Sequence, residues 1–110
     1  MIDIKLLRTD PELVKENIRK KFQDEKLVLV DEVVALDAQW REAHTRCDAL
    51  RNQRNVISKQ IGGMMARGER EQAEAAKREV SAMADEMAAL EARETELEGQ
   101  IKERMMVIPN

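Results

Sequence analysis

The sequence is poor in aromatic residues and cysteine, and it contains no long hydrophobic run. Its 110 residues include one Phe, one Trp and no Tyr, and Cys47 is the only cysteine. A single cysteine excludes an internal disulfide bond and a multi-cysteine metal site. No run approaches the ~18 apolar residues of a membrane-spanning helix, and the N-terminus lacks the hydrophobic region of a signal peptide. We therefore expect a soluble, cytoplasmic protein with no membrane partner.

Residue groupings suited to catalysis or metal binding are also missing from the sequence. His44 is the only histidine, and no pattern of Ser, Cys or carboxylates accompanies it as a triad would require. The segment "GGMMARG" at residues 62–68 lacks the preceding strand and the Gly-Lys-Ser/Thr of a phosphate-binding loop. We expect no catalytic residue, no metal ligand and no cofactor in this chain.

The sequence is instead rich in helix-forming residues. Ala, Glu, Lys, Leu and Arg make up about half of the chain, the level typical of a long helix or coiled coil. Over two long stretches, mostly apolar residues recur at alternating steps of three and four, which is the heptad pattern. We call these the seam positions: Val33, Leu36, Trp40, Ala43, Cys47, Leu50, Arg54, Ile57, Ile61 and Met64, then Ala73, Ala76, Val80, Met83, Met87, Leu90, Glu94, Leu97, Ile101 and Arg104.

The two stretches pair with each other in one antiparallel register. Met64 with Ala73, Ile57 with Val80 and Leu36 with Ile101 have residue numbers that share one sum. The centre of this symmetry falls beside Gly68, a residue that can take the positive φ of a helix C-cap. We therefore predict an all-α fold, a long antiparallel coiled-coil helical hairpin with a short N-terminal helix packed at its open end.

The predicted segments form a single domain over residues 1–110. Residues 1–28 form the N-terminal helical segment, 29–66 the ascending helix, 67–69 the turn and 70–106 the descending helix. Asp10, Pro11 and Glu12 are a helix-start signal, because Asp caps free N–H groups, Pro is tolerated at the first position and Glu suits the helix dipole. They predict a short helix from Pro11 to about Lys21.

Positive charge is concentrated around the predicted turn. The whole chain has a net charge of −3, yet residues 51–80 contain seven basic and four acidic residues, and 51–68 contain no acidic residue. Such polarity suits an anionic partner at the turn, although charged residues on exposed coiled-coil faces are also ordinary. Arg54 is less ordinary, because it occupies a seam position where an aliphatic side chain would stabilise more.

Gly62 and Gly63 precede the turn and allow two interpretations. Each glycine makes the helix less stable by roughly 1 kcal/mol than alanine would at the same interior position, so the helix could loosen or kink before its end. Alternatively, bare backbone permits the close approach of a bulky partner such as a nucleic-acid backbone.

The chain closely resembles the N-terminal domain of seryl-tRNA synthetase over its whole length. The most specific segments are "DIKLLRTDPELV" at residues 3–14, "LD..WR" at 36–41, "RNVISKQIG" at 54–62 and the closing "IPN". The resemblance implies a tRNA-binding arm that positions the elbow and long variable arm of serine tRNA. It also implies a full-length class II ligase, homodimeric and dependent on ATP and magnesium, with the catalytic domain beyond Asn110.

By position, the resemblance and the basic segment give one candidate RNA-binding set: Arg51, Arg54, Asn55, Lys59, Arg67, Arg70, Lys77 and Arg78. The alternative function is a structural coiled-coil hairpin that mediates protein–protein interaction and is indifferent to RNA.

Overall fold

The computed structural model describes residues 2–109 and is built from helices. Helix α1 spans Ile4–Thr9, α2 spans Pro11–Lys20, α3 spans Leu27–Ala66 and α4 spans Arg70–Met105, with a 3-10 turn at Asp24–Lys26 between α2 and α3. The described residues contain no strand, and none of their helices is long and apolar enough to cross a membrane. The predicted all-α helical hairpin is confirmed.

The N-terminal segment contains two helices rather than the single one predicted from the sequence. The Asp3 side chain accepts a hydrogen bond from the Lys5 N–H at 2.9 Å and starts α1. Asp10 ends α1 by donating its N–H to the Leu6 carbonyl, and its side chain then accepts from the Leu13 N–H at 3.1 Å to start α2. One aspartate therefore terminates one helix and caps the next, with Pro11 at the first helical position as predicted.

By its internal contacts, the chain divides into two compact units, residues 1–41 with 94–110, and residues 42–93. We call them the terminal unit and the hairpin unit. The core of the terminal unit joins all four helices. Its buried residues are Leu7 from α1, Val14 and Ile18 from α2, Val30 and Val33 from α3, and Ile101 and Met105 from α4, with Ile108 beyond α4.

Asp37 is the one charged side chain that is buried among the described residues, at 2% exposure. Both of its oxygens accept hydrogen bonds from Arg8, at 2.7 Å from Nε and 2.7 Å from Nη2. Arg41 approaches the same carboxylate at 3.2 Å. The pKa of Arg8 is raised, chiefly by its hydrogen bond to Asp37. This paired charge ties α1 to α3 inside an otherwise apolar core.

Within the hairpin unit, α3 and α4 pack through the predicted seam. Cys47, Leu50 and Met87 are buried together, with Met83 and Leu90 packed against them. Every seam position along the two helices is buried or half-buried. Arg46 and Glu86, which each precede a seam residue, pair at 3.1 Å, and Arg51 and Glu91, which each follow one, pair at 3.6 Å. The two ion pairs lie on opposite edges of the seam, as antiparallel heptads require.

Two helices end in the same C-terminal capping motif. At the end of α3, the Gly68 N–H donates to the Met65 carbonyl and the Glu69 N–H donates to the Met64 carbonyl. At the end of α2, the Phe22 N–H donates to the Arg19 carbonyl and the Gln23 N–H donates to the Ile18 carbonyl. This motif places its penultimate residue in the left-handed region. Gly68 has φ 76° and Phe22 has φ 57°. Only glycine adopts this conformation without strain, and other residues are disfavoured by roughly 1–2 kcal/mol.

We expect Phe22→Gly to raise the free energy of unfolding by about 0.5–1 kcal/mol, because it removes backbone strain and offsets only part of that gain through unfolded-state entropy. The Phe22 ring is 91% exposed, so little packing is lost. Gly68→Ala is the matched substitution at the other cap and should destabilise by about 1 kcal/mol. Urea unfolding curves measure both, and a destabilised Phe22→Gly variant would contradict the assignment of strain.

Asp37→Asn should lower the free energy of unfolding by about 2 kcal/mol, because a neutral amide at this buried position removes the charge that pairs with both Arg8 and Arg41. Asp31→Asn is the matched control, since Asp31 pairs with Lys15 at 2.8 Å but is largely exposed. Thermal unfolding of the two variants should show a clear loss for Asp37→Asn and little change for the control. Equal losses of stability in the two variants would mean that burial of the Asp37 carboxylate does not increase its contribution to stability.

Candidate nucleic-acid interface

The predicted RNA-binding residues all fall in the hairpin unit, and four of them share one side of it: Arg51, Asn55, Arg70 and Lys77. Arg51, Asn55 and Lys59 recur every four residues along α3 and form one stripe on its surface. Arg51 and Asn55 directly follow seam residues, as Lys77 does on α4, and Arg70 lies one heptad before Lys77. Lys59 and Arg78 each lie two residues after a seam residue and so face away from the seam. We call the six residues together the basic edge: Arg51, Asn55, Lys59, Arg70, Lys77 and Arg78. Arg67 lies apart from it, in the turn.

Three of the predicted cations are engaged with carboxylates. Arg51 donates to Asp48 at 2.8 Å and approaches Glu91 at 3.6 Å. Lys77 lies 3.4 Å from Glu74 on the same helix. Arg67 donates from Nε and Nη2 to the two Glu69 oxygens at 3.0 and 3.3 Å. These side chains are exposed, so their ion pairs can exchange for other anions at little cost.

The other predicted cations, Arg54, Lys59, Arg70 and Arg78, form no ion pair or side-chain hydrogen bond with the described residues. The remaining cations of the hairpin unit, Arg46 and Arg93, do have partners. All the unpaired positive charge of residues 42–93 therefore belongs to the predicted set. Unpaired guanidinium and ammonium groups can bind phosphate without first giving up an internal partner.

The Arg54 side chain is half-buried at its seam position, and the preceding seam residue, Leu50, is buried. Its aliphatic stem can cover apolar surface while the guanidinium reaches water. The seam therefore contains a cation that has no counter-charge among the described residues.

The two glycines before the turn differ in their surroundings. Helix α3 runs through both without interruption to Ala66. A methyl group at Gly63 would lie 3.2 Å from Nη1 of Arg67, so the missing side chain makes room for that guanidinium. A methyl group at Gly62 would meet nothing within 4 Å, so no internal contact accounts for this glycine. The guanidinium is the end of a flexible, exposed side chain and can move aside, so the close-approach interpretation stays a prediction for both glycines.

The Arg67–Glu69 pair shifts the titration of both groups. The hydrogen bond from Arg67 lowers the pKa of Glu69, and the hydrogen bond to Glu69 raises the pKa of Arg67. Both groups remain charged at neutral pH. The guanidinium at the turn thus pairs with Glu69 and lies near Gly63 while it stays exposed to solvent.

The opposite edge of the hairpin unit has a different chemistry near the turn. A groove of about 400 Å³ is lined by amides, apolar side chains and one carboxylate: Asn52, Gln53, Val56, Ile57, Gln60, Glu79 and Met83. None of these lining residues is a cation. Sequence reasoning passed over them, although Gln53, Gln60 and Glu79 each directly precede a seam residue and so could have been assigned to one edge. The basic edge itself contains both signs of charge on α4, where Arg70 and Arg78 line one depression together with Glu71 and Glu74, whereas the groove on the opposite edge contains no cation.

The whole chain, residues 1–110, matches the family model described as "Seryl-tRNA synthetase N-terminal domain". It is 32% identical over 110 residues to the serine–tRNA ligase of Delftia acidovorans, covering all of this chain and 25% of that protein. It is 44% identical over 75 residues to the Thermotoga petrophila enzyme, covering 68% of this chain and 17% of that one. The family expected from the sequence is confirmed.

A solved structure agrees with the sequence relatives. The crystal structure of seryl-tRNA synthetase from Pyrococcus horikoshii complexed with ATP superposes with a TM-score of 0.91 at 34% identity, over all of this chain and 24% of that one. The chain thus spans about a quarter of the length of that protein and of the Delftia enzyme.

Glu69 should titrate below its ordinary pKa of 4.5, because Arg67 stabilises the carboxylate. A lowered folded-state pKa means that the pair stabilises the fold above the ordinary pKa and that this contribution is lost as pH falls through the folded value. Carboxyl-carbon NMR titration measures the midpoint directly. Arg67→Gln should return it towards 4.5, and an unchanged midpoint in that variant would show that Arg67 is not its cause.

Proposed function

The chain belongs to the family of seryl-tRNA synthetase N-terminal domains, and from that premise we propose that residues 1–110 form one arm that binds serine tRNA. The basic edge and the turn contact phosphates of the tRNA elbow and long variable arm, and so position the tRNA for aminoacylation. The candidate contacts remain those predicted from the sequence: Arg51, Arg54, Asn55, Lys59, Arg67, Arg70, Lys77 and Arg78.

The observation that carries this proposal is the unpaired charge on the hairpin unit. Arg54, Lys59, Arg70 and Arg78 lack partners among the described residues, in a unit whose other cations are paired. No carboxylate accompanies the cations of residues 51–68, whereas a surface that served only solubility would gain from mixing both charge signs. Cations without internal partners, spaced between residues 54 and 78, suit a polyanion whose phosphates recur along a groove.

Recognition by such a surface reads the placement of phosphates more than the identity of bases, because double-stranded RNA offers side chains little sequence information. Exposed Arg and Lys alone give modest, salt-dependent affinity. A second contact between the same tRNA and a catalytic domain would make the arm's contribution effectively intramolecular and raise the overall affinity.

We further propose that ATP and Mg²⁺ are used outside the part of the relatives that this chain matches. The Pyrococcus horikoshii protein was crystallised as a complex with ATP, and this chain covers 24% of it. Residues 2–109 offer no cluster of three or more His, Cys, Asp or Glu that could hold a metal ion. We assign to the full-length protein the homodimer, the joining of serine to its tRNA and the cytoplasmic location.

A fluorescence titration of this chain against serine tRNA, and against a copy lacking the long variable arm, tests the proposal at two salt concentrations. We expect tighter, salt-sensitive binding to the intact tRNA. Equally weak binding to both tRNAs would show only nonspecific attraction between opposite charges. Absence of binding to either would favour a structural hairpin that binds protein.

Arg54→Met should separate stability from binding. Methionine fills the seam position with an apolar side chain and should raise the free energy of unfolding by about 1 kcal/mol. The same variant should bind serine tRNA about tenfold more weakly if the guanidinium holds a phosphate. Urea unfolding and the titration above measure the two effects on one sample, and tighter or unchanged tRNA binding would remove Arg54 from the interface.

Lys59→Gln isolates the charge of the basic edge. A plot of log affinity against log salt concentration should become less steep by about 0.7–0.9, because one phosphate contact contributes that much to the slope. Lys102→Gln is the matched control, because Lys102 is also an exposed lysine, forms no ion pair with the described residues and lies in the terminal unit. Identical slopes in the two variants would mean that only net charge matters.

A further inference from the structure

Phe22 is the most exposed large hydrophobic side chain among the described residues, at 91%. It is also the one non-glycine residue among them with a positive φ. The cap at the end of α3 forms the same hydrogen bonds with Gly68, so the motif itself does not require an aromatic residue at this position. Phe22 is thus unfavourable both for its backbone and for its exposed ring, which suggests a role outside the fold.

Three cations directly precede Phe22 in the sequence. Helix α2 ends with Arg19 and Lys20, and Lys21 precedes Phe22. Arg19 and Lys21 form no ion pair or side-chain hydrogen bond with the described residues, and Lys20 lies 4.0 Å from Glu16. Attraction to the C-terminal end of the helix dipole accounts for cations in this place. It does not account for an aromatic ring among them.

We propose that Phe22, Arg19 and Lys21 form a second RNA-binding site, which takes an unstacked nucleotide of a single strand. The base stacks on the exposed ring, and the flanking phosphates pair with the guanidinium and ammonium groups. Aromatic rings stack on all bases and cations follow the backbone, so the site reads single-strandedness rather than sequence. The other exposed apolar residues of the described chain do not combine a ring with adjacent unpaired cations.

This site is independent of the basic edge, because its residues belong to the terminal unit and the basic edge to the hairpin unit. It goes beyond the proposed contact with the elbow and variable arm, and an experiment can contradict either proposal without contradicting the other. A single-stranded probe therefore tests this site, whereas serine tRNA with its variable arm tests the basic edge.

The experiment uses the whole chain and a fluorescein-labelled single-stranded RNA of about eight nucleotides, a length within the usual site size for such binding. We expect Phe22→Gly and Phe22→Leu to weaken binding about tenfold, since both remove the ring, while Phe22→Trp retains it. Val28→Ala is the matched control at another exposed apolar residue, 55% exposed, and should leave the affinity unchanged. Arg19→Gln with Lys21→Gln should weaken binding and reduce its salt dependence.

Stability and crosslinking distinguish this role from a structural one. Phe22→Gly should unfold at a higher temperature than the parent chain while binding the RNA more weakly, a combination that loss of fold cannot produce. A 4-thiouridine in the probe should crosslink to the tryptic peptide that begins at Phe22. Lys59→Gln should leave this crosslink in place even if it weakens the binding of serine tRNA.

Unchanged affinity in both Phe22→Gly and Phe22→Leu would overturn the proposal, as would a crosslink confined to the hairpin unit. A basic cluster with an aromatic ring also suits an anionic membrane surface. Binding to vesicles of phosphatidylcholine and phosphatidylserine is therefore measured alongside binding to RNA. Binding to them that depends on Phe22, together with RNA binding that does not, would assign the ring to a lipid surface and overturn the RNA site.

Discussion

The apolar seam is the constraint from which the other features follow. Helices of 40 and 36 residues have too little hydrophobic surface to fold alone, and most helical stability in proteins comes from packing an amphipathic face. Each long helix offers a narrow stripe of side chains, and an antiparallel partner covers that stripe in a heptad register. Once the register is set, every residue beside the seam has an assigned edge. The ion pair of Arg46 with Glu86 and that of Arg51 with Glu91 occupy the two edges accordingly.

Polar groups placed at or beside this apolar interior have two different outcomes. Asp37 is buried and fully paired, with Arg8 and Arg41 around its carboxylate, and it links α1 to α3. Arg54 is half-buried and has no partner among the described residues. Paired buried charge is consistent with a structural role, and unpaired charge with a role that another molecule completes. The same distinction separates Gly68, which its capping motif favours, from Phe22, which that motif disfavours.

Sequence reasoning located the long helices and their seam because the heptad repeat is sustained from Val33 to Met64 and from Ala73 to Arg104. It missed α1, since six residues are too few to show a period and the double role of Asp10 is visible only in three dimensions. It also missed the burial of Asp37, because an acidic residue beside seam residue Leu36 is expected to face solvent until Arg8 is brought to it.

The candidate interface was predictable as a segment and less so as a set of contacts. Clustering of basic residues between 51 and 80 is a property of the sequence alone. Which of those cations are already neutralised depends on side-chain positions, as with Arg67 and Glu69 or Lys77 and Glu74. The left-handed backbone of Phe22 carries no sequence signal, because glycine is the residue that normally marks such a position.

The antiparallel register also limits how the length of the hairpin can vary. Deleting one residue from either helix would rotate all the side chains beyond it by about 100° and turn the seam away from its partner. Removing or adding seven residues in one helix alone would preserve the face but misalign the partner residues across the turn at Gly68. Matched heptads, one in each helix, keep both the face and the pairing without a local change in supercoiling. Related hairpins should therefore differ in length by about fourteen residues at a time, distributed evenly about the turn.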